Sequence, residues 1–172
     1  MEPINKTIWF FGLSGSGKTT LANGLSTELE ANNLKTFILD GDIVRKGINA
    51  NLGFCRQDRK ENVRRIAELC KILLQVEVIP IVAAITPYED DRKLIKEMLG
   101  NQLILVSVEC SLYECEKRDP KGLYQSARNG EIQKFTGISD TYERSNMADV
   151  TINTEKHGPK RSINLLVKKI IE

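Results

Sequence analysis

The sequence predicts an α/β protein in which a mostly parallel sheet is covered by helices on both faces. Three observations predict it. Five short apolar, β-rich runs recur along the chain at lengths suited to buried strands, and stretches with three- and four-residue apolar spacing lie between them. Parallel strands also need long crossover connections, which are usually helical. In order, the strand runs are Thr7–Phe11, Lys35–Leu39, Val78–Ile85, Leu103–Val108 and Asp149–Asn153. A first helical pattern steps through Leu21, Leu25 and Leu29, and a second through Val63, Ile66, Cys70 and Leu73. A third, Ile163, Leu166, Val167 and Ile170, closes the chain. Periodicity is weak only from about Lys117 to Ser145, which is expected to form a lid on a single domain spanning residues 1–172.

The 172 residues are enough for one domain with a sizeable core. A hydrophobic content of 41% and a charged content of 28% are those of a soluble globular chain. Basic and acidic residues are interleaved and the formal charge is +2, so nucleic acid is not the expected partner. The run Val76 to Ile85 is interrupted by Glu77 and Pro80 and falls far short of a membrane span. The opening residues Met1 to Lys6 lack the pattern of a secretory signal, and a cytoplasmic location is expected. Cys55, Cys70, Cys110 and Cys115 show no C-x-x-C pairing, and His157 is remote from all of them in sequence, which predicts free thiols rather than zinc ligands.

The strongest motif is Gly12-Leu13-Ser14-Gly15-Ser16-Gly17-Lys18-Thr19, which satisfies G-x-x-x-x-G-K-[ST] between a strand run and a helical pattern. Glycines at 12, 15 and 17 let successive N–H groups, those of Ser14 and Ser16 included, converge on phosphate oxygens, and the following helix adds its positive end. Lys18 is expected at the β- and γ-phosphates, Thr19 on Mg²⁺, and Thr20 beside them. The motif therefore predicts ATP and Mg²⁺ as cofactors and sharpens the fold expectation to that of the P-loop nucleoside triphosphate hydrolases. No guanine-reading N/T-K-x-D motif occurs and a motor's coupling domains would not fit, which favours a small-molecule kinase.

Four blocks extend the reading: Gly12 to Thr20; Leu39-Asp40-Gly41-Asp42-Ile43-Val44-Arg45 continuing to Leu52-Gly53-Phe54; Asp58 to Arg65; and Arg118-Asp119-Pro120-Lys121-Gly122-Leu123-Tyr124 with Phe135-Thr136-Gly137-Ile138. Together they resemble the adenylylsulfate kinases, which phosphorylate the 3′-hydroxyl of adenosine 5′-phosphosulfate. The resemblance implies that Asp40 and Asp42 share metal binding and proton acceptance, with Asp40 on the metal and Asp42 as the base. It implies that Arg45, Arg59 and Asn62 grip the acceptor's anionic part and that Phe54 and Phe135 sandwich its base. Ile85, Thr86 and Thr136 join them on the acceptor side. Lys121 would close over the substrate, Arg118 would lie near the donor phosphates, and Asn153 and Thr154 would border the donor adenine. Members of the family often dimerise, so a homodimer is expected by resemblance.

The match departs at named positions. Ile85-Thr86-Pro87-Tyr88-Glu89 stands where the family typically has Ile-Ser-Pro-Tyr-Arg, Ile43 replaces an asparagine, and Thr141 to Asn146 lacks the usual prolines. Two alternatives stay open at this point: a related kinase for another activated nucleotide such as cytidine diphosphoramidate, and a regulatory nucleotide-binding protein without catalysis.

Overall fold

The computed structural model describes residues 5–171; Met1 to Ile4, where the absence of a leader was read, and Glu172 lie outside the described residues. Strands β1 (Thr7–Phe11), β2 (Thr36–Asp40), β3 (Ile79–Ala83), β4 (Leu103–Glu109) and β5 (Val150–Asn153) form one sheet in the order β2-β3-β1-β4-β5. Every pairing is parallel, with Ile8 opposite Ile81 and Ile104, and Val106 opposite Val150. All five predicted strands are present. The first has the expected bounds and the other four shift by one or two residues; the third ends at Ala83, two residues before its apolar run does, and Ile85 and Thr86 beyond it line a cavity.

Both faces of β1 are apolar, so both are covered. Ile8 and Phe10 pack with Leu21, Leu25 and Leu29 of α1 (Lys18–Ala31) and Leu166 of α7 (Pro159–Ile171). Trp9 and Phe11 point the other way, into a core shared with Val63, Ile66 and Cys70 of α3 (Arg56–Gln75) and Ile95 and Leu99 of α4 (Glu89–Leu99). The three periodic patterns read in the sequence are α1, α3 and α7. Helix α4 follows β3, and a short α2 (Gly41–Lys46) follows β2.

From β1 the chain runs to the edge at β2, returns to β3 beside β1, and then crosses to β4 and β5 on the far side. The reversal lies between β1 and β3, whose carboxyl ends therefore open a crevice suited to a ligand. The segment expected as a lid holds more order than its weak periodicity implied. It begins within α5 (Leu112–Arg118), contains α6 (Leu123–Arg128), and has its own small core of Cys115, Tyr124, Ala127 and Phe135 against Leu13 and Leu112. Among the described residues, no helix is long and apolar enough to cross a membrane.

Candidate active site

The loop between β1 and α1 is shaped by what its glycines must avoid. At Gly12 (φ +154°) an added Cβ would stand 2.5 Å from the main-chain oxygen of Val108, and at Gly15 (φ +72°) one would stand 3.0 Å from that of Cys115. Helix α1 starts after Gly17 with no side chain capping it, which leaves its first N–H groups pointing into the loop. The Lys18 ammonium donates to the carbonyls of Gly12 (3.0 Å) and Leu13 (2.7 Å). Burial pushes its pKa down to about 8, against the opposing pull of nearby groups including Asp42 and Asp40.

Thr19 Oγ1 donates to Asp40 Oδ2 at 2.8 Å, joining the loop to the end of β2. Asp40 Oδ1 accepts from the Asp42 N–H at 2.9 Å, capping α2 and fixing the turn that presents Asp42. These oxygens suit a hard divalent cation. Among the described residues no cluster of three or more His, Cys, Asp or Glu could hold a metal ion by itself. Asp42 itself is exposed and ion-paired with Lys121, a residue 79 positions away that reaches over from the expected lid. The pair holds the Lys121 ammonium above its ordinary pKa through the Asp42 hydrogen bond.

Across the cavity, Phe54 is 55% exposed and carries two guanidinium groups over its ring, Arg45 at 4.4 Å and Arg59 at 5.6 Å. Arg45 donates to the carbonyl of Gly53 (2.9 Å), whereas Arg59 is buried, donating to Phe54 O (3.0 Å) and Lys134 O (2.8 Å) and pairing with Asp140 at 3.4 Å. Asn62 is also buried, its Oδ1 accepting from Asn49 Nδ2 at 2.9 Å. The third wall is the stretch after β3. Ile85 O accepts from Gly12 N at 3.2 Å, and Thr86, left-handed at φ +44°, accepts through Oγ1 from Trp9 Nε1 at 3.0 Å. That contact makes Thr86 a packing partner of Trp9.

A cavity of about 480 Å³ is enclosed by these parts, a size suited to small-molecule ligands. Of the residues expected at a site, Ser14, Gly15, Gly17, Lys18, Thr19, Thr20, Asp40, Asp42, Arg45, Phe54, Arg59, Asn62, Ile85, Thr86, Arg118, Lys121 and Thr154 line it. Arg118 and Thr154 act together: the guanidinium donates to Thr154 Oγ1 (3.2 Å) and O (3.1 Å), and Thr154 Oγ1 donates to Ser16 O (2.7 Å).

Five expected residues stand back from the lining. Gly12 lies beneath the loop against Val108, and Ser16 is fully buried. Asn153 spends its side-chain oxygen on the N–H groups of Glu155 (3.1 Å) and Lys156 (2.9 Å). Phe135 sits edge-on to Tyr124, with ring centres 5.0 Å apart, and Thr136 is buried beside it. The lining in turn includes Pro87, Pro120, His157 and Pro159, none of which was expected as a site residue. Tyr124, quoted in the fourth block without a role, donates its buried hydroxyl to Ser14 O at 2.9 Å, and Arg92, outside every block, is fully buried. For Arg92 a signal existed: it shares a helical face with Ile95 and Leu99. Glu89, in place of the family's arginine, is outside the lining and accepts from Arg92 Nε at 2.8 Å.

Comparison with known proteins identifies the family. The family model described as Adenylylsulphate kinase matches residues 4–153. The adenylyl-sulfate kinase of Staphylococcus epidermidis is 46% identical over 96% of this chain and 83% of its own length. That of Pseudomonas aeruginosa is 48% identical over 95% of this chain and 82% of its own. Among solved structures, the Mycobacterium tuberculosis APS kinase in complex with AMPPNP and APS superposes with a TM-score of 0.94 at 36% identity, covering 97% of this chain and 98% of that one. A sugar kinase from Janibacter, 16% identical with a TM-score of 0.67, shares the fold. With a family match over most of its length and relatives at this identity, the chain belongs to the adenylylsulfate kinase family.

Proposed function

We propose that this chain transfers the γ-phosphoryl group of ATP to the 3′-hydroxyl of adenosine 5′-phosphosulfate, releasing ADP. The observation that carries the reading is the joining, in one cavity, of a phosphate loop with Lys18 and a Phe54 ring flanked by Arg45 and Arg59. The first suits a nucleoside triphosphate, and the second suits a flat base attached to an anionic tail.

On this reading the loop N–H groups and Lys18 hold the donor phosphates, with Arg118 near them and Thr154 towards the adenine. Thr19 and Asp40 would hold Mg²⁺, which supplies charge neutralisation across the phosphates when bound. Phe54 stacks on the acceptor base while Arg45, Arg59 and Asn62 take the phosphosulfate. Asp42 accepts the proton of the 3′-hydroxyl as its oxygen bonds to the γ-phosphorus and the bond from that phosphorus to the ADP oxygen breaks. Lys121 pairs with Asp42 and, carried by the segment 117–145 acting as a lid, helps exclude water that would compete as acceptor.

The test is ADP release from Mg-ATP with adenosine 5′-phosphosulfate, cytidine diphosphoramidate or nucleoside monophosphates as acceptor. Saturable turnover selective for adenosine 5′-phosphosulfate is expected. Turnover with a different nucleotide alone would move the assignment to that substrate, and none with any acceptor would leave a nucleotide-binding protein without transfer.

A further inference from the structure

Helix α4 carries the one arginine among the described residues that is completely withdrawn from solvent. Arg92 donates from Nε to Glu89 Oε2 (2.8 Å), from Nη1 to Thr86 O (2.7 Å) and from Nη2 to Glu143 O (2.7 Å), and its guanidinium carbon lies 4.9 Å above the Phe11 ring. Burying a guanidinium is unfavourable unless its donors are met. Here two of the three acceptors are main-chain carbonyls from segments 57 residues apart in the chain, Thr86 and Glu143. A planar fork can hold both at once, which a lysine ammonium on a flexible stem does poorly.

What it holds is unusual. Thr86 is β-branched and sits at φ +44°, a region such residues rarely adopt without outside support. Its two ends are secured from opposite sides, the carbonyl by Arg92 and the hydroxyl by Trp9. Glu143 adds two more stitches, its N–H to Pro87 O (2.9 Å) and its Oε2 from Glu89 N (2.6 Å). Arg92 itself does not line the cavity, while Ile85, Thr86 and Pro87 do.

We propose that Arg92 is a positioning residue for the reaction: it holds Thr86 in its left-handed conformation and thereby sets the Ile85–Pro87 wall against the acceptor. The inference rests on the reading above that this wall faces the acceptor. Glu89, the charge-reversed departure from the family pattern, is the carboxylate that orients the clamp.

Steady-state kinetics test it. Wild-type turnover of adenosine 5′-phosphosulfate is measured first, so that a wrong substrate shows itself before any variant is made. Arg92→Lys is expected to raise KM for the acceptor by about tenfold or more, since small misplacements of positioning groups are costly, while KM for ATP stays within about twofold. Glu89→Ala, at a partly exposed site, is expected to shift acceptor KM the same way by about threefold, through loss of one charge-assisted bond. Should Arg92→Lys not fold, Glu89→Ala decides alone, and an unchanged acceptor KM overturns the proposal. A lower active fraction with both KM values unchanged marks a purely structural arginine and also overturns it. A rise confined to KM for ATP overturns the assignment of the wall, and the inference with it.

Discussion

On the donor side of the cavity the phosphate loop is one contiguous stretch held by glycine geometry, whereas the acceptor side is assembled mainly from side chains of separate elements. The loop from Gly12 to Thr19 is eight consecutive residues whose shape follows from three glycines and a helix start. The opposite half draws Arg45 from α2, Phe54 from a loop, Arg59 and Asn62 from α3, and Ile85 and Thr86 from the stretch after β3. Three of them lean on side chains outside the lining: Asn62 on Asn49, Arg59 on Asp140, and Thr86 on Trp9 and Arg92. A contiguous backbone device tolerates little variation within itself and much outside; a dispersed one depends on partners well away from the ligand.

The comparison can be broken most severely at the junction of the halves. Asp42→Asn is expected to lower kcat by about 10³-fold, in the range for loss of a general base, with ATP affinity within about threefold of wild type. Equilibrium binding and single-turnover rates check this, and unchanged turnover would remove Asp42 from the base role. Next, Phe54→Ala is expected to raise acceptor KM by about 30-fold, the worth of one stacked base, and to leave KM for ATP in place. Equal effects on both substrates would show that the two halves are not separable.

The donor half has its own signature in pH. Burial leaves the Lys18 ammonium with a pKa of about 8, below its ordinary 10.5. Bound phosphates favour the charged form, so binding takes up a proton above pH 8 and affinity falls as pH rises, by up to about tenfold per unit. Calorimetric titration of ATP in buffers of different ionisation enthalpy reads this proton directly, and a flat profile from pH 7.5 to 9.5 would refute it. The smallest effect concerns Phe135. Phe135→Leu should lose the edge-on contact with Tyr124, lowering stability by about 1 kcal/mol and Tm by a few degrees. If acceptor KM rises as well, the ring serves the site and not only the small core.

Legibility in the sequence follows the same division. β1 with its loop and α1 were readable because strand period, glycine spacing and helical period follow one another without interruption. The five strands were readable as apolar runs, yet Asp40 closes β2 instead of following it, since a carboxylate at a strand end has no period to betray it. The apolar residues of the segment after Lys117, Tyr124, Ala127, Phe135 and Ile138, fall at irregular intervals because they converge from α6 and turns, which hides their common core. Arg92, within Glu89-Asp90-Asp91-Arg92-Lys93, reads as a solvated charge run. Only the Arg92, Ile95, Leu99 spacing marks it as inward-facing.

The tight seat of Gly12 on the Val108 carbonyl bears on how nucleotide-free controls should be chosen. Because a single added methyl group there would collide at 2.5 Å with the main chain of the neighbouring strand, a Gly12→Ala protein would report a displaced β1–β4 junction as much as a lost ligand. Lys18→Ala removes an ammonium whose partners are two loop carbonyls and leaves that junction untouched, which makes it the cleaner silent reference for every measurement above.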